Sequence, residues 1–93
     1  MTAAVCVRLV FHGSVQGVGF RFAACKAASE CSVTGWVRNL PDGSVEIVAQ
    51  GSPDAVARMT AWAQCGPRSA WVDRVQIETL EGSWALDAFE IRR

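Results

Sequence analysis

"SVTGWVRNLPDGSVEIVAQ", Ser32 to Gln50, is the stretch that decides the fold. Val33, Trp36 and Val37 mark a strand. Beyond the turn, Val45, Ile47 and Ala49 fall on one face of a second strand, with Glu46 and Gln50 on the other. Between them "LPDG" is a turn with a mechanism, since Pro41 presets its own φ and Gly43 accepts a positive one. Strand, tight turn and strand make a hairpin.

Downstream, Ser52 is a natural helix N-cap, Pro53 suits the first helical position and Asp54 complements the positive end of the helix dipole. Val56, Met59 and Trp62 (or Ala63) form an inward stripe, and Gly66-Pro67 ends the helix. "AWVDRVQIETL", Ala70 to Leu80, reads as a strand with Val75 and Ile77 in phase. A hairpin-like return near Glu81-Gly82-Ser83 leads to "DAFEIRR", where Phe89 and Ile91 face away from Glu90 and Arg92. Upstream, "FRFAACKAASEC", Phe20 to Cys31, is alanine-rich without Gly or Pro and reads as a helix whose small residues let it lie close to a sheet. Before it, Val5, Val7, Leu9 and Phe11 alternate with Cys6, Arg8, Val10 and His12, the period of a half-buried strand. The order β-α-β-β-α-β predicts an α+β fold, a ferredoxin-like split β-α-β sandwich: an antiparallel sheet with both helices packed on one face.

Composition bounds what such a fold can do. A chain of 93 residues supports one modest core, so residues 1–93 are expected to form a single domain. Nine basic and nine acidic residues cancel, yet residues 1–39 carry Arg8, Arg21, Lys26 and Arg38 against Glu30 alone, a balance of +3. That local excess suits a small anion rather than a nucleic-acid backbone, which calls for a broad basic face. No RNA-binding aromatic signature appears on the central strands, so no nucleic-acid partner is expected. Cys6, Cys25, Cys31 and Cys65 show no C-x-x-C spacing and His12 is the only histidine, which leaves a zinc or redox motif without support. The thiols are expected to be free, packing as small apolar groups in a reducing compartment. Arg8 interrupts the first apolar run and no apolar stretch reaches membrane-spanning length, so the expectation is a cytoplasmic protein without a membrane partner.

The chemistry lies in "GSVQGVGFR", Gly13 to Arg21. Gly13, Gly17 and Gly19 permit a curved backbone whose N–H groups can form a concave nest, and the loop runs into a helix N-terminus, where unpaired N–H groups and the dipole favour an anion. Arg21, in the first helical turn, offers a planar fork to two phosphate oxygens. A Walker loop would need a following Gly-Lys-Ser/Thr, and a dinucleotide fingerprint would need glycine where Phe22 stands. The combination reads as a socket for one phosphate-sized anion, although a glycine-rich connection with a surface arginine has the same letters.

"GSVQGVGFR", then "TGWVRNLPDGSVE", then "GPRSAWVDRV", in that order and at these separations, resemble the acylphosphatase family over Val7 to Ile91. The resemblance implies an enzyme that hydrolyses the carboxyl–phosphate bond of a small acyl phosphate to a carboxylate and inorganic phosphate, without a metal or a cofactor; a monomer is the simplest expectation. It implies that Ser14, Val15, Gln16, Gly17, Val18, Gly19 and Phe20 supply the phosphate-binding loop, that Arg21 binds the phosphoryl group, and that Asn39 orients the attacking water. Inorganic phosphate or another anion would occupy the same loop. Ala24 and Leu40 stand where threonine is common in the family or in its animal forms, and each removes a hydroxyl from the neighbourhood. His12 reads as a strand-end residue, Gln16 as a residue that shapes the loop or meets solvent, and Arg38 as either a positive field beside Asn39 or a solvated strand arginine. Trp36, Trp62, Trp71 and Trp84 read as packing residues, with Trp71 or Trp84 also able to cover an acyl group.

Overall fold

A computed structural model of the chain describes residues 4–68, 70–81 and 88–92. The chain runs β1 (Val5–Ser14), α1 (Phe20–Cys31), β2 (Thr34–Asn39), β3 (Val45–Gly51), α2 (Pro53–Cys65), β4 (Trp71–Leu80) and β5 (Phe89–Arg92). The strands form one sheet in the order β4-β1-β3-β2-β5. β1 pairs antiparallel with β3, Leu9 opposite Ile47, and with β4, Leu9 opposite Ile77. β2 and β3 form the expected hairpin, closing with Asn39 opposite Val45.

β5 departs from an all-antiparallel sheet. It lies parallel to β2, Val37 opposite Ile91, so the sheet is mixed. β4 and β5 occupy opposite edges and do not form a hairpin; Gly82 and Ser83 lie outside the described residues. Turn residues mark a break between two strands but do not fix the pairing partner, and β5 pairs with β2 rather than with β4.

Both helices cover one face. Val7, Leu9 and Phe11 of β1, Val37 of β2, and Val45, Ile47 and Ala49 of β3 share a core cluster with Phe20, Ala24, Ala27 and Ala28 of α1 and Val56, Met59 and Ala63 of α2. Phe20 is the keystone on the site side, its ring 4.8 Å from Phe11 and 5.8 Å from Trp62 between centroids. The alanines of α1 place the helix backbone near the sheet. α2 begins as its sequence dictates, the Ser52 hydroxyl accepting from the Ala55 N–H at 3.1 Å.

The other face is less open than a half-buried pattern implies. Cys6, Trp36 and Val48 form a second buried cluster beside Leu80. Glu46 is 3 % exposed and receives Arg8 Nε and Arg38 Nε, each at 2.6 Å, together with Trp36 Nε1 at 3.3 Å. Burial pushes its carboxyl up, but the donors from Arg38, Arg8 and Trp36 outweigh that, and its pKa lies below the ordinary glutamate value. The Arg92 guanidinium lies over the Trp36 ring at 4.2 Å. All four cysteines are free; Cys65 is exposed and so does not serve as packing. Among the described residues, no helix is long and apolar enough to cross a membrane.

Candidate active site

The two helix N-termini are built differently. α2 fills its own with Ser52 and Asp54. α1 has Gly19 at its N-cap, hence no capping side chain, and no acidic residue in its first turn. Its first intrahelical bond runs from the Ala23 N–H to the Gly19 carbonyl at 3.0 Å, so the N–H groups ahead of Ala23 have no intrahelical acceptor. Gly17 and Gly19 both hold left-handed backbone, φ 74° and 77°, which curls the loop ahead of the helix.

That curl encloses a cavity of about 210 Å³ lined by Val15, Gly17, Gly19, Phe20, Arg21, Phe22 and Asn39. A volume of that order takes a phosphate with room for part of a small substituent. Among the described residues, Arg21 is the one charged residue lining it, and no carboxylate pairs with it. Arg38, one residue before Asn39, has its charge committed to Glu46.

Asn39 comes from a distant part of the chain and reaches the cavity through the hairpin turn. The Leu40 N–H donates to the Ser44 carbonyl at 2.8 Å, and the Gly43 N–H to the Leu40 carbonyl at 3.1 Å. The Asp42 carboxylate accepts from the Ser44 N–H at 2.9 Å and from the Ser44 hydroxyl. Those Ser44 bonds hold the Asp42 pKa below its usual value. Gln16 joins the turn to the loop: its Nε2 donates to the Leu40 carbonyl at 2.8 Å and to the Ser44 carbonyl at 2.9 Å.

The named loop residues therefore divide. Val15, Gly17, Gly19, Phe20 and Arg21 line the cavity with Asn39. Ser14 is the last residue of β1, opposite Trp71, and does not line it. Gly13 also belongs to β1, at a bulge where a Cβ would strike the Trp71 carbonyl oxygen. Val18 packs on the core, and the Gln16 carboxamide is spent on the turn. His12 lies at the strand end with Nε2 2.8 Å from Gln76 Oε1. Ala24 is buried in the core, away from the cavity wall. Trp71 is 71 % exposed, contrary to a packing role, does not line the cavity, and donates its indole N–H to Asp73 Oδ1 at 2.7 Å. Trp84 lies outside the described residues. Phe22 is on the wall, and sequence reasoning passed over it; its signal was its place two residues beyond Phe20 on the same helix.

Residues 7–91 match the acylphosphatase family model. The chain belongs to the acylphosphatase family. The acylphosphatase of Anaeromyxobacter dehalogenans is 45 % identical over 92 residues, 99 % of either chain. Among solved structures, the Bacillus subtilis acylphosphatase superposes with a TM-score of 0.91 at 29 % identity, covering 96 % of this chain and 99 % of that one. The Coxiella burnetii acylphosphatase gives 0.85 at 38 % identity, covering 96 % and 93 %. Acylphosphatases are hydrolases of acyl phosphates, and the sandwich with both helices on one face is the architecture they share.

Proposed function

We infer that this acylphosphatase works through the cavity at the N-terminus of α1, with the phosphoryl group held by the loop N–H groups and Arg21 and a water held by Asn39. The observation that carries the reading is the convergence of Arg21, Asn39 and an uncapped helix N-terminus on one cavity. The substrate's phosphoryl oxygens sit against the Val15–Phe20 backbone, where the donors and dipole are already oriented and need no reorganisation. Arg21 offsets the charge on those oxygens through charge-assisted bonds. The Asn39 carboxamide oxygen accepts from the water and aims its lone pair at phosphorus, opposite the acyl oxygen. Gln16 keeps that water in register with the loop, because it ties the Asn39 turn to it.

The chemistry asks for little more. The water oxygen forms a bond to phosphorus as the bond from phosphorus to the acyl oxygen breaks. The electron pair leaves on a carboxylate, which is stable unprotonated, so no strong general acid is needed. The water's proton passes to a phosphoryl oxygen, giving dihydrogen or monohydrogen phosphate. Positioning and charge compensation carry this reaction class, and the reading assigns it no metal and no cofactor. The locally basic first half and free thiols support a cytoplasmic setting and a small anionic partner rather than a nucleic acid.

Hydrolysis of benzoyl phosphate in ¹⁸O-labelled water with EDTA present tests the reaction. The expected outcome is metal-independent turnover with the label in inorganic phosphate. Label in benzoate would mean attack at the carbonyl carbon and would remove the role assigned to Asn39.

A further inference from the structure

The loop, Arg21 and Asn39 account for the phosphoryl group and the water, which leaves the acyl group of the substrate without a partner. α1 turns its side chains by 100° per residue, so with Phe20 in the core, Phe22 points about 200° round, toward solvent. Phe20 is 2 % and Phe22 76 % exposed. Phe22 belongs to neither core cluster, so packing does not account for an aromatic ring there. It nonetheless lines the same cavity as Arg21 and Asn39. The other apolar side chains on that wall, Val15 and Phe20, are already spent on the core. Phe22 is therefore the lining residue whose apolar side chain is both exposed and unused by the core among the described residues.

We propose that Phe22 is the platform for the acyl group, so that the site favours aryl and other flat apolar acyl phosphates over acetyl phosphate. The proposal rests on the reading of the cavity as the acyl phosphate site. An aryl ring set against Phe22 gains an offset or edge contact and covers exposed apolar surface, whereas a methyl group covers little of it. Trp71, also exposed, cannot serve in its place because it does not line the cavity.

The test is calorimetric titration of the full chain with phenacylphosphonate, acetonylphosphonate and inorganic phosphate; the two phosphonates carry CH₂ in place of the bridging oxygen and are not hydrolysed. The wild type is expected to bind the phenacyl analogue about fivefold more tightly than the acetonyl one, the scale of one aromatic pair. Phe22→Ala should bring that ratio to near one, and Phe22→Tyr should keep it. A wild type that binds both phosphonates and phosphate without preference overturns the platform and leaves the socket standing. Equal weakening of all three ligands by Phe22→Ala overturns it too, since the residue would then merely shape the loop. A wild type that binds none of the three overturns the socket, and the platform with it.

Discussion

Arg21 lines the cavity, whereas Arg38, next to Asn39 in β2, is turned to the other face of the sheet by its partner. Arg38 is held by the buried Glu46 carboxylate; Arg21 has no carboxylate among the described residues and lines the cavity. Sequence could place Arg21 at the start of a helix after a glycine loop, but not show that its neighbour's charge is already spent. Gln16 was less legible still, because its bonds reach carbonyls 24 and 28 residues away. Removing that carboxamide leaves the loop and the Asn39 turn to move independently. Gln16→Ala should lower kcat on benzoyl phosphate about tenfold through misplaced water, with a smaller change in inhibition by phosphate. Equal loss in both would give Gln16 a direct part in phosphate binding. Gly19→Ala should destabilise the chain by about 1–2 kcal/mol in urea unfolding, since alanine resists φ 77°. An unchanged midpoint would mean that the loop adopts another path at no cost.

Elements with their own signals were read closely. α1 matched its alanine-rich stretch, and α2 began just after its Ser52 cap and stopped before Gly66 because caps act within one turn. β1 was harder. Its alternation gives the helix-facing residues, but Cys6 and Val10 on the other face are buried too, Cys6 in a cluster with residues brought in by β2, β3 and β4 and Val10 between Glu46 of β3 and Gln76 of β4. Glu46 ties β1, β2 and β3 together on that face through Arg8, Trp36 and Arg38. Its folded pKa is depressed, so its contribution is present above the unfolded glutamate pKa and is lost as pH falls through the folded value. Glu46→Gln should therefore cost stability at neutral pH, by about 1–3 kcal/mol, and cost little in strong acid. Urea midpoints from neutral pH down through the carboxylate range give the comparison. Parallel curves for the two proteins would contradict the linkage.

For the molecule as a whole, the split β-α-β plan followed from a hairpin set between two helices. The neighbour of β5 did not, because a parallel pairing is decided by which edge remains open after the other strands have paired. The cavity likewise exists only in the assembled fold, where β1, α1 and β2 end near one another. An anion bound there but not by the unfolded chain must stabilise the whole domain. Phosphate at about a hundred times its Kd should add about 2.7 kcal/mol. For a domain of this size that raises Tm by more than about 10 °C, and sodium chloride at matched ionic strength controls for salt. No rise in Tm would mean that the cavity does not hold phosphate.

The assignment of separate tasks to Arg21 and Asn39 is the centre of the account. Its most direct test is steady-state hydrolysis of benzoyl phosphate, with phosphate as competitive inhibitor, by the wild type, Arg21→Ala and Asn39→Ala. Arg21→Ala should lose about 10³-fold in kcat/KM together with inhibition by phosphate. Asn39→Ala should lose about 10²-fold in kcat while phosphate inhibits as before. An Asn39→Ala enzyme with normal kcat, or an Arg21→Ala enzyme still inhibited by phosphate at wild-type concentrations, would contradict it.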